Sequence, residues 1–108
     1  MLDRLLGETG SRVLLFIHAL GDGYAREIAA NFELSLSSVQ HQLAKLEEAG
    51  VLVSRLRGNV RLYQFNPRYA FLRELQQLLA RALEYMPEAD RKRYYELRTR
   101  PRRAGKPL

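Results

Sequence analysis

Residues 24–65 read YAREIAANFELSLSSVQHQLAKLEEAGVLVSRLRGNVRLYQF. Two amphipathic helical patterns meet there at a turn and run into a two-stranded ribbon. In the first pattern, 26–32, Ile28, Ala29 and Phe32 fall on one face, and the small Ala29 lets a neighbouring helix approach closely. Glu33-Leu34-Ser35 is the turn, with Leu34 plugging its corner. Ser35 is the expected N-cap of the second helix, because its side-chain oxygen can accept from the orphan N–H groups of the first turn. That helix runs to Glu48 or Ala49, with Leu36, Val39, Leu43 and Leu46 on one face. Gly50 follows, a residue free to take positive φ at a helix end. Residues 51–57 and 60–65 are β-rich and separated by Gly58-Asn59, which reads as a tight hairpin. Tyr63 and Phe65 share one face of the ribbon by period 2 and should roof the helices.

Outward from this stretch, Ser11 is the expected N-cap of a preceding helix in which Val13, Leu14, Ile17 and Leu20 recur at helical spacing. Gly21-Asp22-Gly23 stops it, and Tyr24 is placed to form a very short strand against the ribbon. After Asn66-Pro67 a long helix is expected over 68–85. Leu72, Leu75, Leu79, Leu83 and Met86 form its stripe, widened by Phe71, Leu78 and Ala82. Pro87 breaks it, and 88–97 reads as a further short helix with Tyr94, Tyr95 and Leu97 as apolar contacts. The fold class is therefore mainly α with a small β-hairpin (α+β): a winged helix-turn-helix with an added long C-terminal helix. The expected division is an N-terminal arm at 1–10, a DNA-binding domain at 11–67, C-terminal helices for dimerisation at 68–97, and a basic disordered tail at 98–108. Leu2, Leu5 and Leu6 in the arm fit either a contact with a second copy or a frayed end.

Composition sets the outer limits. One domain is expected from 108 residues, and a domain this small gains from pairing with a second copy. There is no Cys, hence no disulfide frame, thiolate metal site or Cys nucleophile. No apolar run is long enough for a membrane span, and the start, MLDRLLGETG, lacks the apolar core of a secretory leader. A cytoplasmic location is expected. The net charge of +6 is not evenly spread: residues 1–90 carry 10 Lys/Arg against 11 Asp/Glu, and residues 91–108 carry 8 against Glu96 alone. The high pI thus belongs to the C-terminal end, and nucleic-acid binding by the folded body must be argued from local placement.

That placement is specific. With Val39 at the centre of the buried face, Ser37, His41, Ala44 and Lys45 point away from it, Ser38 lies nearby, and Gln40 and Gln42 flank that surface. Small side chains keep the helix slim enough for a major groove about 12 Å wide. Gln can bond adenine in bidentate fashion, Ser can donate or accept, and Lys45 suits a phosphate or guanine. Glu47 and Glu48 would be repelled by DNA, so the N-terminal end of helix 36–48 should enter first. Arg55, Arg57, Asn59 and Arg61 surround the ribbon tip with no acid nearby in the pattern, a placement suited to backbone phosphates or a narrow minor groove. Protection of an edge strand would explain the arginines but not their pairing with the preceding helices.

Residues 24–65 resemble the winged helix-turn-helix of the ArsR-like (arsenic-repressor-like) transcriptional regulators through LSLSSVQHQL, LEEAGVLVSR, RGN and LYQF. The resemblance implies a homodimeric repressor on operator DNA, with the recognition helix in the major groove, the wing 52–65 beside it and terminal helices forming the dimer. The chain departs from the family at Gln40 and Gln42, where such regulators often carry Ser and His, so operator sequence does not carry over. Without Cys it also lacks thiolate metal sensing. His18 and His41 are the only imidazoles and sit apart in the sequence, so no metal site and no cofactor are expected.

The expected partners are double-stranded DNA and a second copy, with no membrane; a small-molecule effector is left open. The alternative is a winged-helix protein–protein interaction adaptor without specific DNA binding, since fold does not fix function. Acids at the wing tip or large apolar residues on the outer helix face would favour it, and neither occurs. RNA binding is a third reading. An enzyme is not expected: no paired carboxylates, phosphate loop, nucleophile elbow or metal spacing appears. The tail arginines, Arg98, Arg100, Arg102 and Arg103, with Lys106, fit a DNA-tracking arm or a solvated end.

Overall fold

A computed structural model describes residues 2–96. Its elements are α1 (Leu2–Leu6), α2 (Glu8–Leu20), α3 (Ala25–Phe32), α4 (Leu36–Glu48), β1 (Leu52–Arg57), β2 (Val60–Phe65), α5 (Leu72–Tyr85) and α6 (Glu88–Tyr95). The 98–108 tail and Leu97 lie outside the described residues. The centre is α2: Val13, Leu14, Leu15, Phe16 and Ile17 are all buried, as expected of a helix surrounded by neighbours on most sides. The helices α3 and α4 pack against it and each other, with Ile28, Val39 and Leu43 fully buried at the junction.

Local chemistry sets the joints. At the end of α3, Leu34 N–H donates to the Ala29 carbonyl and Glu33 adopts the left-handed conformation, φ 56°. This closing turn normally favours glycine. Ser35 caps α4 as expected, its Oγ accepting from Ser38 N–H at 3.1 Å. At the other end Gly50, φ 83°, lets Val51 N–H donate to the Leu46 carbonyl and Gly50 N–H to that of Glu47, the paired bonds of a Schellman turn. The chain therefore leaves α4 directly into β1. The strands pair antiparallel from Leu52↔Phe65 to Arg57↔Val60. Of the two turn residues only Gly58 has positive φ, the pattern of a type II′ hairpin turn. Tyr63 and Phe65 pack on the core as expected.

Four sequence expectations change. The first is that α2 begins at Glu8, so Ser11 is not its N-cap. Ser11 sits one turn inside, fully buried, and its Oγ donates to Asp3 Oδ1 at 2.7 Å with the Glu8 carbonyl also in reach at 3.0 Å. The short α1 supplies the acceptor that makes this burial tolerable. Secondly, Gly23 rather than Tyr24 bridges to the wing, exchanging both backbone bonds with Tyr63 at 3.0 and 2.8 Å. A Cβ at Gly23 would lie 3.0 Å from Ile28 and 3.1 Å from Phe16, so a larger residue there would make these two side chains give by a few tenths of an ångström. Thirdly, α5 begins at Leu72, four residues later than expected. Asn66 holds the intervening turn: its side chain donates to the Gly50 carbonyl at 2.9 Å and accepts from Arg68 N–H at 3.0 Å. Finally, α6 ends at Tyr95. It is fastened by rings, with Tyr94 stacked on Phe32 at 5.3 Å and Tyr95 at 5.5 Å from the same ring, and by Asn31 donating to the Tyr94 carbonyl at 3.1 Å.

Candidate nucleic-acid interface

The helix α4 is anchored on one side and open on the other. Val39 and Leu43 are fully buried, with Leu36 and Leu46 half-buried beside them. Ser37, Ser38, Gln40, His41, Ala44 and Lys45 are exposed. The Ser38 hydroxyl takes part in the cap, accepting from Ser35 Oγ at 2.7 Å, and retains its own proton for another partner. Lys45 forms no ion pair among the described residues. Gln42 is placed differently from the rest: it is half-buried, and its amide oxygen would lie 3.2 Å from a Cβ built on Gly10 of α2. The structure sets it against α2 at the edge of the polar face.

The wing arginines separate by strand register. Arg55 and Arg57 lie on the face of the ribbon that carries Leu62, whereas Arg61 pairs across from Leu56 on the face that carries Tyr63 and Phe65. Arg55, Arg57 and Asn59 are exposed, and neither of these two arginines forms an ion pair among the described residues. The expectation that no acid lies near the wing fails for Arg61. Its guanidinium donates to Ser54 Oγ at 3.0 Å, and Ser54 in turn donates to Glu47 Oε2 at 2.7 Å. The Tyr63 phenol beside this relay is pushed up by burial and by the Glu47 charge, with Arg61 opposing. Sequence spacing could not show the relay, because Glu47 and Arg61 meet only through the hairpin register.

Elsewhere, His18 is half-buried, and burial lowers its pKa from the ordinary 6.5. Among the described residues no three of His, Cys, Asp and Glu converge as a metal site, and no helix is long and apolar enough to cross a membrane.

Of the five residues expected at a dimer seam, four lie against the chain's own core and Leu72 is half-buried outside that cluster. Leu79 is 0% exposed within its own chain, and Leu75, Leu83 and Met86 pack partly against the same core. The exposed apolar residues of this region are instead Phe71 at 63%, Leu78 and Tyr85 at 70%. They are spaced seven apart, so they form one stripe roughly 100° around the helix from Leu79. The sequence contained this spacing, but the stronger leucine stripe masked it.

Residues 11–54 match the family model described as bacterial regulatory protein, arsR family. No curated protein matches the sequence. Among solved structures, the chain is similar to a double mutant of Lactococcus lactis ZitR in its apo form, with 21% identity and a TM-score of 0.58 over 84% of this chain and 71% of that one. It is similar to the YusO protein of Bacillus subtilis, with 18% identity and a TM-score of 0.57 over 83% and 70%. A MarR-family transcriptional regulator from Rhodococcus sp. RHA1 aligns with 20% identity and a TM-score of 0.56 over 83% and 71%. The family is one of regulatory proteins and not of enzymes. Residues 11–54 thus carry a match to the arsR family of bacterial regulatory proteins, in a chain with the winged-helix fold.

Proposed function

We propose that this chain is a sequence-specific regulator of transcription that binds double-stranded DNA as a homodimer and represses by blocking promoter access. One observation carries the reading: the outward face of α4 is polar, slim and exposed, and two arginines without acidic partners among the described residues stand on the wing beside it. Ser37, Gln40, His41 and Lys45 meet base edges in the major groove, while Arg55 and Arg57 hold the flanking backbone or minor groove. Ser38, Gln42, Asn59 and Arg61 border this contact. The arsR-family match supports the DNA-binding part of the reading. The Phe71–Leu78–Tyr85 stripe supports the dimer, because an exposed apolar line of this length favours a partner surface. A chain with this task works beside the chromosome, in the cytoplasm.

Selection of bound fragments from random duplex DNA tests the proposal. A dimer should enrich a pseudo-palindrome with half-site centres about 10–10.5 base pairs, or a multiple, apart. Failure to enrich any sequence would favour the adaptor reading.

A further inference from the structure

A cleft of about 370 Å³ lies between α1, α2, the end of α3 and α6. Asp3, Arg12, Phe32, Asp90, Tyr94 and Tyr95 line it. The stacked Phe32–Tyr94 pair gives it an aromatic wall. Its lining carries two carboxylates against one guanidinium: Arg12 pairs with Glu8 at 2.8 Å and lies 6.0 Å from the Phe32 ring centre, Asp3 accepts from Ser11, and Asp90 has no hydrogen-bond or ion-pair partner among the described residues.

Tyr95 turns this surface feature into a site. The residue is only 5% exposed, yet its hydroxyl has no hydrogen-bond partner among the described residues. Tyr95 itself lines the cleft, beside Arg12, Asp3 and Asp90, and burial pushes its phenol up. Buried polar groups in folded proteins are paired with protein, water or ligand. Here the available partner is whatever enters the cleft, whose volume lies in the range of about 300–1,000 Å³ usual for small-molecule sites. We propose that this cleft binds a small organic cation with a flat apolar body. The positive group sits against Asp90 and Asp3, the body lies on Phe32 and Tyr94, and a polar edge meets the Tyr95 hydroxyl. An anion would face two carboxylates, and a neutral ligand would forgo the charge-assisted bonds. Phe32 is the last residue of α3, so the site abuts the turn that orients α4. The proposal does not depend on DNA binding.

Isothermal titration of the full chain with benzamidinium, benzamide and benzoate presents one ring with a positive, neutral or negative head. Benzamidinium should bind, benzamide about tenfold more weakly and benzoate not measurably. Asp90→Asn and Tyr95→Phe should each weaken benzamidinium about tenfold. Neither should lower the melting temperature of the ligand-free protein, since Asp90 is exposed and the Tyr95 hydroxyl has no described partner to lose. Equal binding of the three compounds, no benzamidinium binding at millimolar concentration, or unchanged affinity in both variants would each overturn the site.

Discussion

Ser54 of the wing donates a 2.7 Å hydrogen bond to Glu47 in the last turn of α4. Because Ser54 also accepts from Arg61 at 3.0 Å, an acid on α4 holds a wing arginine in place. In the proposed complex Glu47 and a DNA phosphate would compete for the same cation. Replacing Glu47 with Gln should tighten duplex binding several-fold and steepen the log–log salt dependence by up to about 0.9, the contribution of one more phosphate contact. Fluorescence anisotropy across a salt series measures both. Weaker binding with an unchanged slope would show that the relay serves to position the wing rather than to restrain Arg61.

Glu33 holds φ 56° at the turn between α3 and α4. A side chain in the left-handed region costs about 1 kcal/mol that glycine does not incur. Glu33→Gly should therefore raise stability by about 0.5–1 kcal/mol in urea unfolding, part of the gain being offset by the freer unfolded chain. A loss of stability would mean that the Glu33 side chain makes a compensating contact.

Two neighbouring residues of α5 should separate folding from assembly. Leu79 is fully buried in its own core, and Leu79→Ala should cost about 2–5 kcal/mol. Leu78 and Tyr85 are exposed, and a Leu78→Ser, Tyr85→Ser double variant should keep its helical circular dichroism yet sediment as a monomer. A double variant that stays dimeric would remove this stripe from the interface.

The His18 pKa is lowered by burial from its ordinary 6.5. The unfolded chain then binds the proton more readily than the folded one, so this residue's contribution is fully present above pH 6.5 and lost as pH falls through 6.5 toward the lower folded value. Wild type should lose more stability between about pH 7.5 and about pH 5.5 than His18→Gln does. Equal losses in urea titrations of the two proteins would count against it.

The parts of the fold legible in the sequence were those decided by near neighbours. Ser35 caps the helix whose Val39 and Leu43 it precedes, Gly50 ends that helix, and Gly58 turns the hairpin; each role depends on a few consecutive residues. What escaped depends on contacts between distant segments. Ser11 has the local pattern of a cap, but its hydroxyl meets an acceptor on a separate helix, Asp3 of α1. The start of α5 shifted because Asn66 reaches the Gly50 carbonyl at the end of α4. The same reason hid the restraint on Arg61 and the packing of Gln42 beside Gly10. At the candidate site, helical periodicity places Ser37, His41, Ala44 and Lys45 on the outward face of α4, and all four are exposed. The strand faces of Arg55, Arg57 and Arg61 depended on hairpin register, which places the first two on one side and the third on the other.

In the proposed complex α4 and the wing engage one duplex together in different ways. Affinity measured on a selected duplex and on a scrambled one, for wild type, an Arg55→Ala, Arg57→Ala double variant and a Gln40→Ala, His41→Ala double variant, tests it directly. The wing variant should weaken binding to both duplexes by a similar factor and reduce the salt slope by about 2. The helix variant should lose mainly the preference between them, by roughly 1–3 kcal/mol per base contact removed. If both variants bind both duplexes as wild type does, α4 and the wing are not the DNA-binding surface.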